Sequence, residues 1–222
     1  MTAPNQQIPE EFLNFCLINA NISEAVAWDE KREQVHLIHF AAEKGYLQVV
    51  KKLIERREYY RVDVNLRAQN NSKMTPLHYA SKNGHLKIVK YLLEKGANVN
   101  FLSEKKWTPL HCASFYGQLE VAKFLLQKGA NVNYQNDKGM TPLYYATSNN
   151  HYELAKLLVE NDAHVNCRNL KNVTPLHLAS ENGNLQVANL LIKHEANVNS
   201  QTTSKYTPLH CASKNSNSEV AK

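Results

Sequence analysis

Apolar residues in this chain fall into short stretches with helical spacing, separated by polar turns. In residues 86–93 the apolar positions include Leu86, Val89 and Leu92, and residues 119–126 repeat the pattern. Steps of three and four residues place such side chains on one face of an amphipathic helix. A Thr-Pro pair stands ahead of each stretch, where Thr caps a helix end and Pro has no amide to leave unpaired. The pattern therefore predicts pairs of short helices, the first beginning at Thr-Pro and the second amphipathic.

The Thr-Pro pairs belong to a unit that recurs every 33 residues. Each unit carries Thr-Pro-Leu-His or, once, Thr-Pro-Leu-Tyr, and its threonines are Thr75, Thr108, Thr141, Thr174 and Thr207. An Ala follows each Thr by five residues, and in most units a Gly separates the two predicted helices. Because one helix pair cannot bury its own apolar faces, we expect neighbouring pairs to stack.

This 33-residue unit resembles the ankyrin repeat, whose signature is Thr-Pro-Leu-His followed by small residues, a Gly and an apolar helix. The resemblance covers about residues 36–222. It implies an all-α fold, an ankyrin-repeat helical solenoid of about six repeats with extended β-hairpin-like turns. The first repeat is degenerate, with an insertion over residues 55–73, and the last is truncated at Lys222. Asp162 and Glu195 replace the Gly that ends the second helix in other repeats, and we expect softer junctions there.

Residues 1–35 precede the repeats and contain a dense apolar segment at residues 12–18. We interpret this region as an N-terminal helical cap that covers the first repeat, because the end of a solenoid needs a cap. An alternative is a short adaptor motif similar to an F-box, since a Pro-Glu pair opens the segment.

Composition and charge change this picture little. The chain has 222 residues, a formal net charge of +6 and four cysteines far apart in the sequence. It has neither a run of 18 apolar residues nor a recognisable secretion signal. We therefore expect a cytoplasmic protein with reduced thiols. Ankyrin arrays also occur in effectors that intracellular bacteria deliver, in which case the location is the host cytosol.

The histidines raise the question of chemistry, because five of the ten occupy one position of the repeat. These are His39, His78, His111, His177 and His210. Helices of neighbouring repeats are about 8–10 Å apart, whereas a zinc ligand lies at about 2 Å. Histidines of consecutive repeats therefore cannot share a metal ion, and we expect them to bond the backbone of the turns. With no catalytic motif recognised, we predict no enzyme activity, no metal and no cofactor.

The resemblance places partner contacts on the turn tips and on the exposed side of the first helices, which line a concave groove. Trp107, Phe115 and Tyr116 put three aromatic residues on one repeat, in columns that are otherwise mostly non-aromatic. Large rigid aromatics are good interaction anchors. The residues directly before the other repeat threonines, Met74, Met140, Val173 and Tyr206, form an apolar column with Trp107, and of these Met74, Met140 and Tyr206 complete the predicted surface. The alternative is that this column, Trp107 included, is simply half buried between neighbouring turns.

Basic residues mark two further candidate surfaces. The first, which we call the Lys row, lies at the turn tips and comprises Lys73, Lys105, Lys106, Lys138, Lys171 and Lys205. The second lies in the insertion and comprises Arg56, Arg57, Tyr59, Tyr60 and Arg61. Both surfaces suit an acidic peptide or a phosphate backbone. The alternative for the Lys row is a solvated edge, and the alternative for the insertion is a solvated loop.

Together these features predict a non-catalytic scaffold or adaptor that is monomeric by itself and binds another protein, one with an acidic surface or peptide. An alternative is the recognition arm of a larger enzyme, toxin or secreted effector whose catalytic domain follows residue 222. Nucleic-acid binding is less favoured, because the net charge is moderate and acidic residues are intermixed. The sequence offers no segment that would place the chain in a membrane.

Overall fold

A computed structural model describes residues 26–28, 34–55 and 62–214. The chain divides into two compact units, Met1–Asn98 and Val99–Lys222. Within the described ranges there are eleven α-helices and one antiparallel pair of three-residue strands. The Thr-Pro pairs lie where helices begin, so the predicted helix starts are confirmed.

The first unit, as far as it is described, begins with the two strands, β1 (Val26–Trp28) and β2 (Gln34–His36). Residues 26–28 and 34–35 lie in the segment predicted as a helical cap, and that prediction is wrong for them. Val and Trp favour extended backbone, and the two strands pair with Val26 opposite His36. Residues 12–18, which carried the cap prediction and its adaptor alternative, lie outside the described residues.

Four helices follow in the first unit, in two pairs. They are α1 (Leu37–Lys44), α2 (Leu47–Glu55), α3 (Pro76–Lys82) and α4 (Leu86–Glu94). The first helices of the two pairs, α1 and α3, pack on each other, and so do the second helices, α2 and α4. The core between them is aliphatic and includes Ile38, Val50, Leu77, Val89 and Leu92.

The second unit contains three helix pairs and one further first helix in its described part. The first helices are α5 (Pro109–Phe115), α7 (Pro142–Ser148), α9 (Pro175–Glu181) and α11 (Pro208–Lys214). The second helices are α6 (Leu119–Gln127), α8 (Tyr152–Glu160) and α10 (Leu185–Lys193). Successive first helices pack on one another, as do successive second helices. Both units thus show the all-α repeat solenoid that the sequence predicts.

The repeat histidines hold the helix caps and the turns together. In the second unit, the Thr108 amide donates to His111 Nδ1 at 3.1 Å, and His111 N donates to Thr108 Oγ1 at 3.3 Å. Because Nδ1 accepts, the proton is on Nε2, which donates to the Met140 carbonyl at 3.0 Å. His177 makes the same bond to Tyr206 at 3.0 Å. The predicted bond from the repeat histidine to the turn backbone is confirmed for His111 and His177.

The junctions after the second helices use left-handed backbone, as predicted. Gly129 has φ +83°, and Asp162 and Glu195 adopt φ of 63° and 64° without being glycine. An L-residue is disfavoured in this conformation, and Asp tolerates it better than Glu. The Glu195 junction therefore carries the larger local cost.

Candidate partner-binding surface

Each turn of the second unit is a five-residue hairpin that ends just before a capping Thr. In the turn at Ser103, the Ser103 amide donates to the Trp107 carbonyl and the Trp107 amide donates to Ser103 Oγ, both at 3.0 Å. Corresponding bonds join Asn136 to Met140. Lys106, the last residue of the three-residue loop, has φ 55°, the left-handed conformation that such loops need. These bonds fix where the residue before each Thr presents its side chain.

Neighbouring turn tips are joined by backbone hydrogen bonds. The Asp137 amide donates to the Lys105 carbonyl at 3.3 Å, and Thr203 donates to Lys171 at 3.0 Å. A third bond of this series, from Leu170 to the Lys138 carbonyl, measures 3.1 Å. The tips of the second unit therefore form one connected edge.

All six residues of the Lys row have exposed side chains. Lys105, Lys106, Lys138, Lys171 and Lys205 lie at turn tips of the second unit, and Lys73 lies in the first unit. Lys73, Lys106 and Lys205 take the left-handed position at the end of their loops, a requirement that the sequence analysis did not recognise.

The three predicted aromatic residues do come together, around a fourth ring. The centroid of Trp107 lies 4.6 Å from that of Tyr145 and 5.7 Å from that of Phe115, and Phe115 lies 4.9 Å from Tyr116. Tyr145 is only 8% exposed and Tyr116 is 45% exposed. We call these four residues the aromatic cluster. Trp107 and Phe115 are half buried, so the expectation of a partly buried Trp107 and the expectation of clustering both hold.

Tyr145 was missed by the sequence analysis and anchors the aromatic cluster. Asn136 Nδ2 donates to its hydroxyl at 2.8 Å, while Asn136 Oδ1 accepts from the Met140 amide at 3.0 Å. Burial raises the pKa of Tyr145 to about 12, so the hydroxyl keeps its proton. A usable signal existed, because Tyr145 lies four residues after the Thr of the repeat that follows Trp107.

The end of α5, where Phe115 is the last helical residue and Tyr116 is the C-cap, is held by a histidine of the next repeat. His151 Nε2 donates to the Phe115 carbonyl at 3.2 Å. Gly117 has φ +71°, and a Cβ at this position would lie 2.6 Å from His151 Cε1. Gly is thus required here both for its backbone conformation and for the space that the imidazole occupies.

A cleft of about 200 Å³ lies two repeats further along the second unit. It is lined by Lys171, Val173, Glu181, Thr202, Thr203, Ser204, Tyr206, Cys211 and Lys214. We call it the C-terminal cleft. Tyr206, a predicted site residue, is 46% exposed there. Cys211 is half buried in this cleft, whereas Cys112 at the same repeat position is buried.

The remaining predicted site residues belong neither to the aromatic cluster nor to the C-terminal cleft. Met74 and Met140 are half buried, and Met74 belongs to the first unit. Arg56, Arg57, Tyr59, Tyr60 and Arg61 lie outside the described residues. Within the described part of the chain, no three His, Cys, Asp or Glu residues are grouped as metal ligands. No helix in the same ranges has the length and apolar character needed to cross a bilayer.

Stacked helix pairs, Thr-His caps and linked hairpin turns define a helical repeat protein. The family model for ankyrin repeats (three copies) matches residues 12–103, 38–136, 100–169 and 162–222. The chain therefore belongs to the ankyrin repeat family, and the resemblance noted from the sequence is confirmed. The first match begins at residue 12, within the region assigned to a cap. A search of curated proteins found no match. Ankyrin repeats are generally protein-protein interaction modules and are typically non-catalytic.

Proposed function

We propose that this chain is a non-catalytic scaffold or adaptor that binds another protein through the turn tips and first helices of its second unit. The observation that carries the proposal is the aromatic cluster, in which Tyr116 is 45% exposed beside the half-buried Trp107 and Phe115. Exposed aromatic side chains with buried support contribute strongly to protein interfaces.

Preorganisation supports this role. The rings of the aromatic cluster rest on Tyr145, which Asn136 holds by a hydrogen bond of 2.8 Å. The backbone below them is fixed by the bond from His151 to the Phe115 carbonyl. A surface that is already ordered loses little conformational entropy when a partner binds.

Charge supports an acidic partner. The part of the Lys row in the second unit lies on the connected edge of turn tips, with every side chain exposed. Such a row attracts acidic surfaces and raises the rate of encounter with them.

The repeat histidines serve the fold, which favours a binding function over catalysis. In His111, for example, both ring nitrogens are hydrogen-bonded.

We place this activity in a reducing, cytoplasmic compartment and expect the isolated chain to be monomeric. The cysteines of the described residues, Cys112, Cys167 and Cys211, are free thiols. Unpaired thiols are typical of such compartments.

The test is affinity capture with immobilised chain, followed by measurement of the dissociation constant for each purified captured protein. Tyr116→Ala should weaken binding about tenfold or more if Tyr116 is an interface anchor. Ile192→Ala is the matched control, because Ile192 is 47% exposed but lies on a second helix, α10. Equal affinity of wild type and Tyr116→Ala would contradict the proposal, and so would equal losses in both variants.

A further inference from the structure

The aromatic cluster and the C-terminal cleft occupy equivalent places in the repeat. Three positions matter, namely the residue before a Thr, the residue seven after that Thr, and the residue four after the next Thr. At the aromatic cluster these positions hold Trp107, Phe115 and Tyr145. At the cleft they hold Val173, Glu181 and Cys211. Since these side chains are smaller, the space that rings fill in one place is open in the other.

The size of the cleft limits what it can hold. Ligand and cofactor pockets usually measure about 300–1,000 Å³, whereas this cleft measures about 200 Å³. One side chain of a partner fits this volume better than a cofactor does. Its position along the connected edge of turn tips suits a partner segment that follows that edge.

The chemistry of the lining favours a carboxylate. Lys171 and Lys214 provide two ammonium groups, and Glu181 provides the one carboxylate. Hydroxyl donors come from a single turn, at Thr202, Thr203 and Ser204. Ammonium and hydroxyl groups bind carboxylate oxygens through charge-assisted hydrogen bonds.

We infer that the C-terminal cleft receives the side chain of a Glu or Asp in an extended acidic segment of the partner protein. This inference rests on the proposed function, because it takes the partner to be a protein that binds the same face. Glu181 opposes the ligand charge and reduces affinity. A nucleic-acid strand fits less well, since it carries a phosphate on every nucleotide, whereas a peptide can place a neutral residue beside Glu181.

The experiment uses the full chain carrying Cys16→Ser, because Cys16 lies outside the described residues. Cys112 and Cys167 are buried and Cys211 is half buried, so Cys211 is the most accessible of the described thiols and serves as the reporter. The probe is a fluorescent twelve-residue peptide of alternating Glu and Ser, and the control peptide has Gln in place of Glu. Binding is followed by anisotropy at low salt, and the site by the rate of thiol labelling at Cys211. The Glu peptide should bind and slow labelling several-fold, whereas the Gln peptide should do neither.

Three charge variants test the predicted sign of each charge's effect on peptide affinity. Lys214→Gln should weaken binding of the Glu peptide about threefold, and Glu181→Gln should strengthen it by a similar factor, as exposed charge pairs do. Lys156→Gln removes the same charge from the exposed face of α8 and should leave affinity unchanged. These polar surface changes leave the core untouched, so the test does not depend on a variant that fails to fold.

Several outcomes would overturn the inference. Equal binding of both peptides would do so, as would an unchanged labelling rate or equal effects of Lys214→Gln and Lys156→Gln. Stronger protection of Cys211 by a twelve-nucleotide single strand would instead assign the cleft to nucleic acid. If the peptide fails while captured partners still depend on Tyr116, only this inference falls. If the peptide protects Cys211 while capture is insensitive to Tyr116, the proposed function falls instead.

Discussion

The aromatic cluster and the C-terminal cleft show how one backbone frame yields two different surfaces. Both sit between turns closed by the same pair of bonds, from Ser103 to Trp107 and from Thr202 to Tyr206. Both are anchored by a buried histidine bonded to the next turn, His111 in one case and His177 in the other. What differs is the side-chain volume between the turns. The frame sets where side chains point, and a few variable residues decide whether the surface presents a ridge or an opening.

The largest effect on stability should come from removing the ring of Tyr145 from the aromatic cluster. Tyr145→Cys places the residue found at Cys211 beneath Trp107 and leaves Asn136 Nδ2 without its acceptor. Removing a buried aromatic ring costs about 3–5 kcal/mol, so we expect the free energy of unfolding in urea to fall by about that amount. The reverse change, Cys211→Tyr, should cost less than about 1.5 kcal/mol because space exists for the ring. Equal losses would contradict the comparison.

The next effect concerns the backbone behind the aromatic cluster. Gly117→Ala brings a Cβ to 2.6 Å from His151 and also strains the backbone at φ +71°. Gly129→Ala is the matched control, because φ is +83° there but no atom lies within 4 Å of the new Cβ. We expect Gly129→Ala to cost about 1 kcal/mol from backbone strain and Gly117→Ala about 1–3 kcal/mol more from overpacking. Thermal and urea denaturation measure both. Combining Gly117→Ala with His151→Ala should recover part of the loss, and no recovery would exclude the proposed clash.

Lowering the pH should destabilise the turn beside the C-terminal cleft, because His177 holds this turn. Burial lowers the pKa of His177 from its ordinary value of 6.5, against the opposing effect of its hydrogen bonds to the Tyr206 and Ser200 backbone. The unfolded chain therefore binds the proton more readily. The stabilisation from neutral His177 is present above pH 6.5 and is lost as the pH falls below that value.

The measurement is the free energy of unfolding between pH 7.5 and 5 for wild type and His177→Tyr. Tyr is the residue that the repeat already carries at Tyr144, where it is buried and hydrogen-bonded to Asn169 at 3.1 Å. The variant should show a shallower decline towards acid. Parallel curves would show that His177 does not contribute to the pH dependence.

The smallest effect distinguishes the two turns themselves. The left-handed position of the loop holds Lys205 beside the cleft, at φ 64°, and Gly139 beside the aromatic cluster, at φ 74°. Lys205→Gly should stabilise the protein by about 0.5–1 kcal/mol. Gly139→Lys should destabilise it by more than that, because a Cβ at this position would also lie 3.2 Å from the Asn169 Cα. The midpoints of urea denaturation measure these changes in stability, provided that the slope of the unfolding free energy against urea concentration is the same in each variant. Changes of the same sign in both variants would contradict a conformational origin.

Much of the fold could be predicted because each local signal has a direct physical cause. Thr and Pro define the helix starts, and the period of 33 residues gives the stacking order. Clustering of Trp107 with Phe115 followed from their shared repeat. The hairpin at residues 26–28 and 34–36 was not predicted, because the apolar segment upstream dominated the interpretation of that region.

The rest of the candidate site depends on contacts between successive repeats, which the periodicity within one repeat does not reveal. Tyr145 contacts Trp107 only because consecutive repeats stack on each other. The cleft arises from small residues, Val173 and Cys211, whose missing volume gives no signal of its own in the sequence. The required left-handed backbone at Lys106 was hidden because Lys occupies a position that suits Gly.

The most direct test is a crystal structure of the variant that carries Val173→Trp, Glu181→Phe and Cys211→Tyr. It copies the three residues of the aromatic cluster onto the equivalent positions of the cleft. If a shared frame and a few side chains determine the surface, the new rings will pack together as Trp107, Phe115 and Tyr145 do, and the turn bond from Thr202 to Tyr206 will remain. A displaced turn, or rings that do not meet, would contradict the account.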